Sequence, residues 1–466
     1  MNFIINEEAF RKQYRVGDKG LTHIVQKSIL LDPYNTNYGK TEKEQVSKFK
    51  CSIGEFCRLV YNKKLDVENS IDIDKIVGMV ECTYEDKESL KLIIKEMFFD
   101  KNDNIQIFHP KLFNYTITTG NFNRYLAQFL YDVLLEGNKE YVDKIRKCFE
   151  YKPGNVMEIL ILNNLPELEN IECRDKKYKN ICPSVSKLFR DDLDFLLTDY
   201  ELFMKEFENL INYYYFFYIS QFAIKMSKMF DADRHSIEEI YFNLDWESVS
   251  KTRESYIKGW KMLDSNLKPL FSNINTLEIL NINNIEDGVD YIDMNNIIES
   301  FDDNERNIFY QSLKNIKDIY IKNVSGINWS EYKKSNQYDD SLKDEMYDLF
   351  KCIDYQFMTS PKSGRYKLYR AYKTYFEDFC KIDYLKRRGS LGYTLNINQE
   401  KLLFITKLSM KNKEKIKLKD LFEEYKKRGI YFDRDSQSKI IDLFEKLNII
   451  EKKSDSGDAQ YVRSIL

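Results

Sequence analysis

Residues 399–465, QEKLLFITKLSMKNKEKIKLKDLFEEYKKRGIYFDRDSQSKIIDLFEKLNIIEKKSDSGDAQYVRSI, decide the fold because their hydrophobic pattern changes period repeatedly. From Gln399 to Leu408, the apolar residues Leu402, Leu403, Ile405 and Leu408 recur at helical spacing, and Lys415 to Leu418 alternates charged and apolar like a short strand. A second helix spans about Asp420 to Arg428, with Leu421, Phe422 and Tyr425 on one face and Gly429 placed where a left-handed residue ends it. Asp433 is positioned to cap a third helix, whose apolar stripe is Ile440, Ile441, Phe444 and Leu447. Ile449 to Lys453, the polar turn Ser454 to Asp458 and the strand Tyr461 to Ile465 then read as a hairpin. Helix, strand, helix, turn, helix, hairpin is the order of a winged-helix module.

Working outward, 466 residues exceed one ordinary core, and three domains are expected: a helical domain over 1–185, a central aromatic-rich helical domain over 186–380, and the winged-helix domain over 381–466. With 34 Tyr and 31 Phe against 16 Gly and 7 Pro, bulky helices are favoured over glycine-punctuated loops. The expected fold class is therefore mainly α: a multi-domain helical protein with a C-terminal winged-helix module of helices and a β-hairpin. Helices are predicted at Ser89–Phe99 and Asn123–Glu136, then as one long helix over Asp191–Phe230. Tyr213 to Tyr218 are consecutive aromatics that cover every side of that helix, so it should be a buried pillar. Trp246–Leu263, Asn304–Lys322, Lys343–Tyr355 and Tyr366–Asp383 complete the helical reading.

The chemistry-bearing residue types form no recognisable site. The eight cysteines, at 51, 57, 82, 148, 173, 182, 352 and 380, include no C-x-x-C pair, which argues against a zinc ribbon or a disulfide framework. His23, His109 and His235 are far apart, without the i+4 spacing of a metal site. Gly39-Lys40-Thr41 ends like a phosphate-binding loop, but Tyr34 stands where the first glycine is needed. The acidic clusters Asp72/Asp74 and Asp191/Asp192/Asp194 suit metal-dependent nuclease ligands no better than a solvated surface in a chain with 75 Asp and Glu. The best apolar window, Leu210 to Met229, contains Asn212, Gln221, Lys225 and Lys228 and is too polar to span a membrane. The N-terminus lacks a basic region followed by an apolar one. A cytoplasmic, non-enzymatic protein is expected, with no catalytic residue, metal, cofactor, small-molecule substrate or membrane partner.

Charge points to nucleic acid. From Lys381 to Leu466 there are 20 Lys+Arg and 13 Asp+Glu, against 52 and 62 in the preceding residues, so the basic end is the winged end. Lys411, Lys413, Lys415, Lys417 and Lys419 recur at every second position and form a one-sided ladder wherever the backbone is extended. Lys386, Arg387 and Arg388 add to it, with Lys452, Lys453 and Arg463 on the hairpin. The outward face of the third helix, with Asp435, Ser438, Lys439, Asp442, Glu445 and Lys446, is a poor surface for reading bases, although Arg434 and Ser436 near its start are placed to reach a groove or a phosphate. DNA contact by these candidates is expected to be sequence-tolerant. The competing readings are a protein–protein adaptor whose winged helix never touches DNA and an unrecognised nuclease.

Four stretches carry a family resemblance. Tyr384 to Tyr393 (YLKRRGSLGY), Arg428 to Gln437 (RGIYFDRDSQ) and Lys453 to Arg463 (KSDSGDAQYVR) resemble the C-terminal region of the DptG family, the G component of DNA-phosphorothioation-dependent restriction systems. Trp246 to Arg253 (WESVSKTR), with Gly259-Trp260, is similar to that family's middle region. The resemblance covers the last 80 or so residues and part of 190–270, not the first 180. It implies a bacterial antiviral defence protein that works beside the ATPase-bearing F and H components to restrict DNA lacking phosphorothioate. No catalytic residues come with it, which suits a non-catalytic DNA-binding and scaffolding subunit.

Overall fold

A computed structural model of the chain describes residues 4–18, 20–23, 28–66, 72–81, 83–101, 105–118, 120–172, 175–282, 288–359, 364–452 and 460–464. It is mainly helical, and the strands among the described residues are short: β1 (Lys63–Lys64), β2 (Glu169–Asn170), β3 (Asn243–Leu244), β4 (Leu385–Arg387), β5 (Tyr393–Ile397), β6 (Lys415–Lys417), β7 (Ile450–Lys452) and β8 (Gln460–Arg463). The chain forms two compact units that interleave in sequence: residues 1–47, 178–185 and 216–466 in one, 48–177 and 186–215 in the other. Neither coincides with 1–185, 186–380 or 381–466, because the chain crosses between units inside the helix Tyr200–Lys228.

In the smaller unit the helices Lys50–Tyr61 and Asn121–Leu130 pack together, the latter continuing through a wider turn to Leu135. Gly54 permits a close approach, since a Cβ there would lie 2.7 Å from the carbonyl oxygen of Thr116. Beside it, buried Arg58 donates to the carbonyls of Asn114 and Thr116 at 2.8 Å and pairs with Glu55 at 2.8 Å. The helix expected at 89–99 begins earlier, at Tyr84, because Thr83 caps it by accepting the Asp86 N–H.

The larger unit is built on the C-terminal half of the aromatic helix, where Phe216, Phe217, Tyr218, Ile219 and Phe222 are all buried. The single helix expected from 191 to 230 is in fact two, Pro183–Leu196 and Tyr200–Lys228. Asp199 makes the break: its carboxylate accepts the N–H groups of Glu201 and Leu202 at 2.8 and 3.1 Å and starts a new helix. The helix Leu270–Leu280 is buried along its whole length and packs against Ser341–Met358 and Gly364–Asp383. The helix predicted over 246–263 is absent as such. Residues 245–253 are turns and irregular backbone, followed by Glu254–Ile257 and Trp260–Leu267.

The C-terminal elements follow the expected order: helix Gln399–Met410, β6, helix Leu418–Lys427, helix Arg434–Lys446, then β7 and β8. β6, β8 and β7 form one antiparallel sheet in that order, with Ile416 opposite Val462 and Val462 opposite Ile450. A second sheet, not anticipated, has the order β3-β5-β4, in which β3 runs parallel to β5 and Asn243 faces Asn396. Gly429, at φ +72°, has no room for a side chain: a Cβ there would lie 2.4 Å from the ring of Phe217. Tyr384 stacks on Phe216 with ring centroids 4.3 Å apart.

Candidate nucleic-acid interface

The β6–β8–β7 sheet has one buried and one open face because side chains alternate along a strand. Ile416 and Val462 are buried and Ile450 half-buried. On the other face the register sets Lys415 opposite Arg463, and Lys417 opposite Tyr461, which in turn faces Glu451. Among the described residues Glu451 is the acid of this face, 3.9 Å from the Lys415 ammonium and 3.4 Å from Arg463 Nε. The Lys415 ammonium also lies 5.6 Å from the centre of the Tyr461 ring. Lys417 is exposed without an ion-pair partner among the described residues, as are Lys413 in the preceding turn and Lys419 in the following helix.

The lysine ladder is thus shorter than the spacing suggests. Only Lys415 and Lys417 sit on extended strand, since buried Leu418 already begins a helix. Lys411 ends the preceding helix at a positive φ of +51°. Across the sheet, Arg463 supplies the rung that sequence spacing does not.

On the third helix, Arg434, Asp435, Ser438, Lys439, Glu445 and Lys446 are exposed, and Lys439 pairs with Asp442 at 3.2 Å. The charges of this face nearly cancel. Asp433 caps the helix by accepting the Ser436 N–H at 3.0 Å. Ser436 itself is buried, which removes it from the candidate DNA contacts: its hydroxyl lies 2.8 Å from both Glu247 Oε1 and Arg253 Nη2. Arg253 also donates through Nε to Asp433 at 2.9 Å and through Nη2 to Glu247 at 3.2 Å. Burial raises the Asp433 carboxyl, but the bond from Arg253 and the N–H of Ser436 outweigh it and hold that carboxyl well below the usual carboxylate range.

Arg388 leaves the candidate set for the same reason. Its guanidinium donates to Thr394 Oγ1 at 3.1 Å, to the Glu247 carbonyl at 2.6 Å and to the Leu244 carbonyl at 2.9 Å, so it is committed to holding a turn. Lys386 is exposed but donates to the Asp245 carbonyl at 2.6 Å, and Arg387 is exposed with no such bond among the described residues. Lys452 lies at the end of β7, and Lys453 is outside the described residues. The Glu247–Arg253–Asp433 cluster was not anticipated as a unit, because Asp433 lies 180 residues from Arg253 in sequence.

Elsewhere, chemistry is occupied by structure. The Gly39 N–H, which a phosphate would need, donates to Glu42 at 2.9 Å. Asp72 caps a helix and Asp74 pairs with Lys91. Asp192 accepts from Tyr214 at 2.8 Å, and Asp194 accepts from Lys144 at 2.7 Å. Burial pushes the thiols of Cys148 and Cys182 up to about 11 and about 12, away from the thiolate. Among the described residues no cluster of His, Cys, Asp or Glu is arranged to hold a metal ion, and no helix is long and apolar enough to cross a membrane. Compared with protein-family models and with curated proteins, the chain matches none.

Proposed function

We propose that the C-terminal segment is a winged-helix module and that the protein is a non-catalytic DNA-binding and scaffolding subunit of a DNA-phosphorothioation-dependent restriction complex, working with its F and H components. The carrying observation is the open face of the β6–β8–β7 sheet, where Lys415, Lys417 and Arg463 meet, among the described residues, one acid, Glu451, and exposed Lys413 and Lys419 flank β6 in sequence. Cations held at fixed spacing on a short sheet suit phosphates, whereas the nearly neutral third helix offers little for reading bases. Support for the assignment to the complex comes from the DptG-like stretches: Arg388, Glu247, Arg253 and Asp433 belong to three of them and bond to one another or to each other's backbone.

The adaptor reading rests on a specific feature too: the first turn of the third helix is tied down by Arg253 and Ser436 instead of being free to enter a groove. Electrophoretic shift of the whole chain on two unrelated duplexes, at low and moderate salt, separates the two. The DNA-binding reading expects both duplexes to be retarded alike at low salt and released as salt rises. No retardation at low salt would favour the adaptor.

A further inference from the structure

The turn Leu244 to Glu247 presents a partly exposed indole. Trp246 is 42% exposed. Among the described residues its ring joins no aromatic stack and its N–H no hydrogen bond, whereas Trp260 is buried and Trp329 packs against Tyr332 and Tyr355.

The backbone beneath Trp246 is nevertheless fixed on all sides. The Glu247 N–H closes the turn on the Leu244 carbonyl at 3.3 Å, and the Glu247 carboxylate accepts the Leu244 N–H at 2.7 Å. Arg388 bridges the carbonyls of Leu244 and Glu247, and Lys386 holds that of Asp245. A large flat side chain with only two side-chain torsions, on a clamped turn, loses little entropy on binding and makes an efficient anchor.

Resting on the DNA-binding reading above, we infer that Trp246 is a stacking platform for an unpaired nucleobase. Its setting decides between a base and a protein side chain. A protein hot spot needs an apolar surround that excludes water. The chain beside Trp246 is instead mostly polar (Asp245, Ser248, Ser250 and Lys251, with Val249 half-buried), and the strand bonded to this turn brings exposed Lys386, whose ammonium donates to the Asp245 carbonyl. A base needs one π-face to stack on and cations nearby for its phosphates. In an intact duplex every base face is already covered, so the substrate that uses Trp246 is DNA with unpaired nucleotides, such as a gap or a single-stranded end.

The test is fluorescence anisotropy of the whole chain with a labelled intact duplex and with the same duplex containing a short thymidine gap. The wild type should bind the gapped DNA about tenfold or more tightly than the intact duplex. Trp246→Ala should abolish that preference while leaving intact-duplex affinity unchanged, which also shows that the variant is folded. Trp246→Phe should retain part of the preference. A gap preference that survives Trp246→Ala, or wild-type binding to both DNAs alike, would overturn the platform and leave the DNA-binding reading standing. No binding of the wild type to either DNA would remove both.

Discussion

Arg253, Arg388, Asp433 and Glu247 spend their charge on one another and on backbone carbonyls, whereas Lys413, Lys417 and Arg387 hold theirs in water without a partner among the described residues. Both groups belong to the same compact unit, and several members lie only one or a few residues apart in sequence. A guanidinium removed from water must satisfy its donors locally or destabilise the fold, while an exposed ammonium contributes little to stability and is available to a ligand. These basic residues therefore divide into those that build the C-terminal region and those left available to a ligand, which on the proposed function is DNA.

Substitutions can break or sharpen that division. The largest effect on stability is expected from Phe217→Ala, which empties the buried ring packed against Gly429 and should cost about 3–5 kcal/mol in denaturant unfolding. Arg253→Ala should follow at about 3 kcal/mol, because it leaves the buried carboxylates of Asp433 and Glu247 without their cation. Adjacent arginines give the sharpest contrast. Arg388→Ala, which removes bonds to three neutral acceptors, should cost about 2 kcal/mol, and Arg387→Ala less than about 0.5 kcal/mol. Equal stabilities for the two variants would erase the distinction.

A smaller effect depends on pH. The Asp433 carboxyl titrates lower in the folded chain than in the unfolded one, so its contribution is fully present above the unfolded value, about 4, and is lost as pH falls towards the folded value. Unfolding followed below pH 4 should therefore show a steeper loss of stability in the wild type than in Asp433→Asn. Parallel curves would mean that Asp433 contributes nothing through its charge.

The order of elements in the C-terminal segment was legible because each is announced locally: apolar spacing for the helices, Asp433 as a cap and Gly429 as a stop. What escaped is contact between distant segments. The parallel pairing of β3 with β5 joins Asn243 to Asn396 through strands too short to show a period. Ser436 and Arg388 read as surface residues because their partners, Glu247 and the carbonyls of the Leu244 turn, lie 141 to 189 residues away. The C-terminal segment also packs on the aromatic helix, where Gly429 meets Phe217 and Tyr384 meets Phe216. The lysine spacing over 411–419 implied a regular ladder, but a helix end and a helix start leave two of its rungs on strand.

The central claim, that the exposed cations on and beside the β6–β8–β7 sheet bind DNA by charge, is tested most directly by the salt dependence of duplex affinity for the wild type and for Lys413→Gln/Lys415→Gln/Lys417→Gln. The account predicts unchanged stability, weaker binding to every sequence alike, and a plot of log affinity against log salt that is flatter by up to about 2.7. The same affinity and slope in both proteins would contradict it.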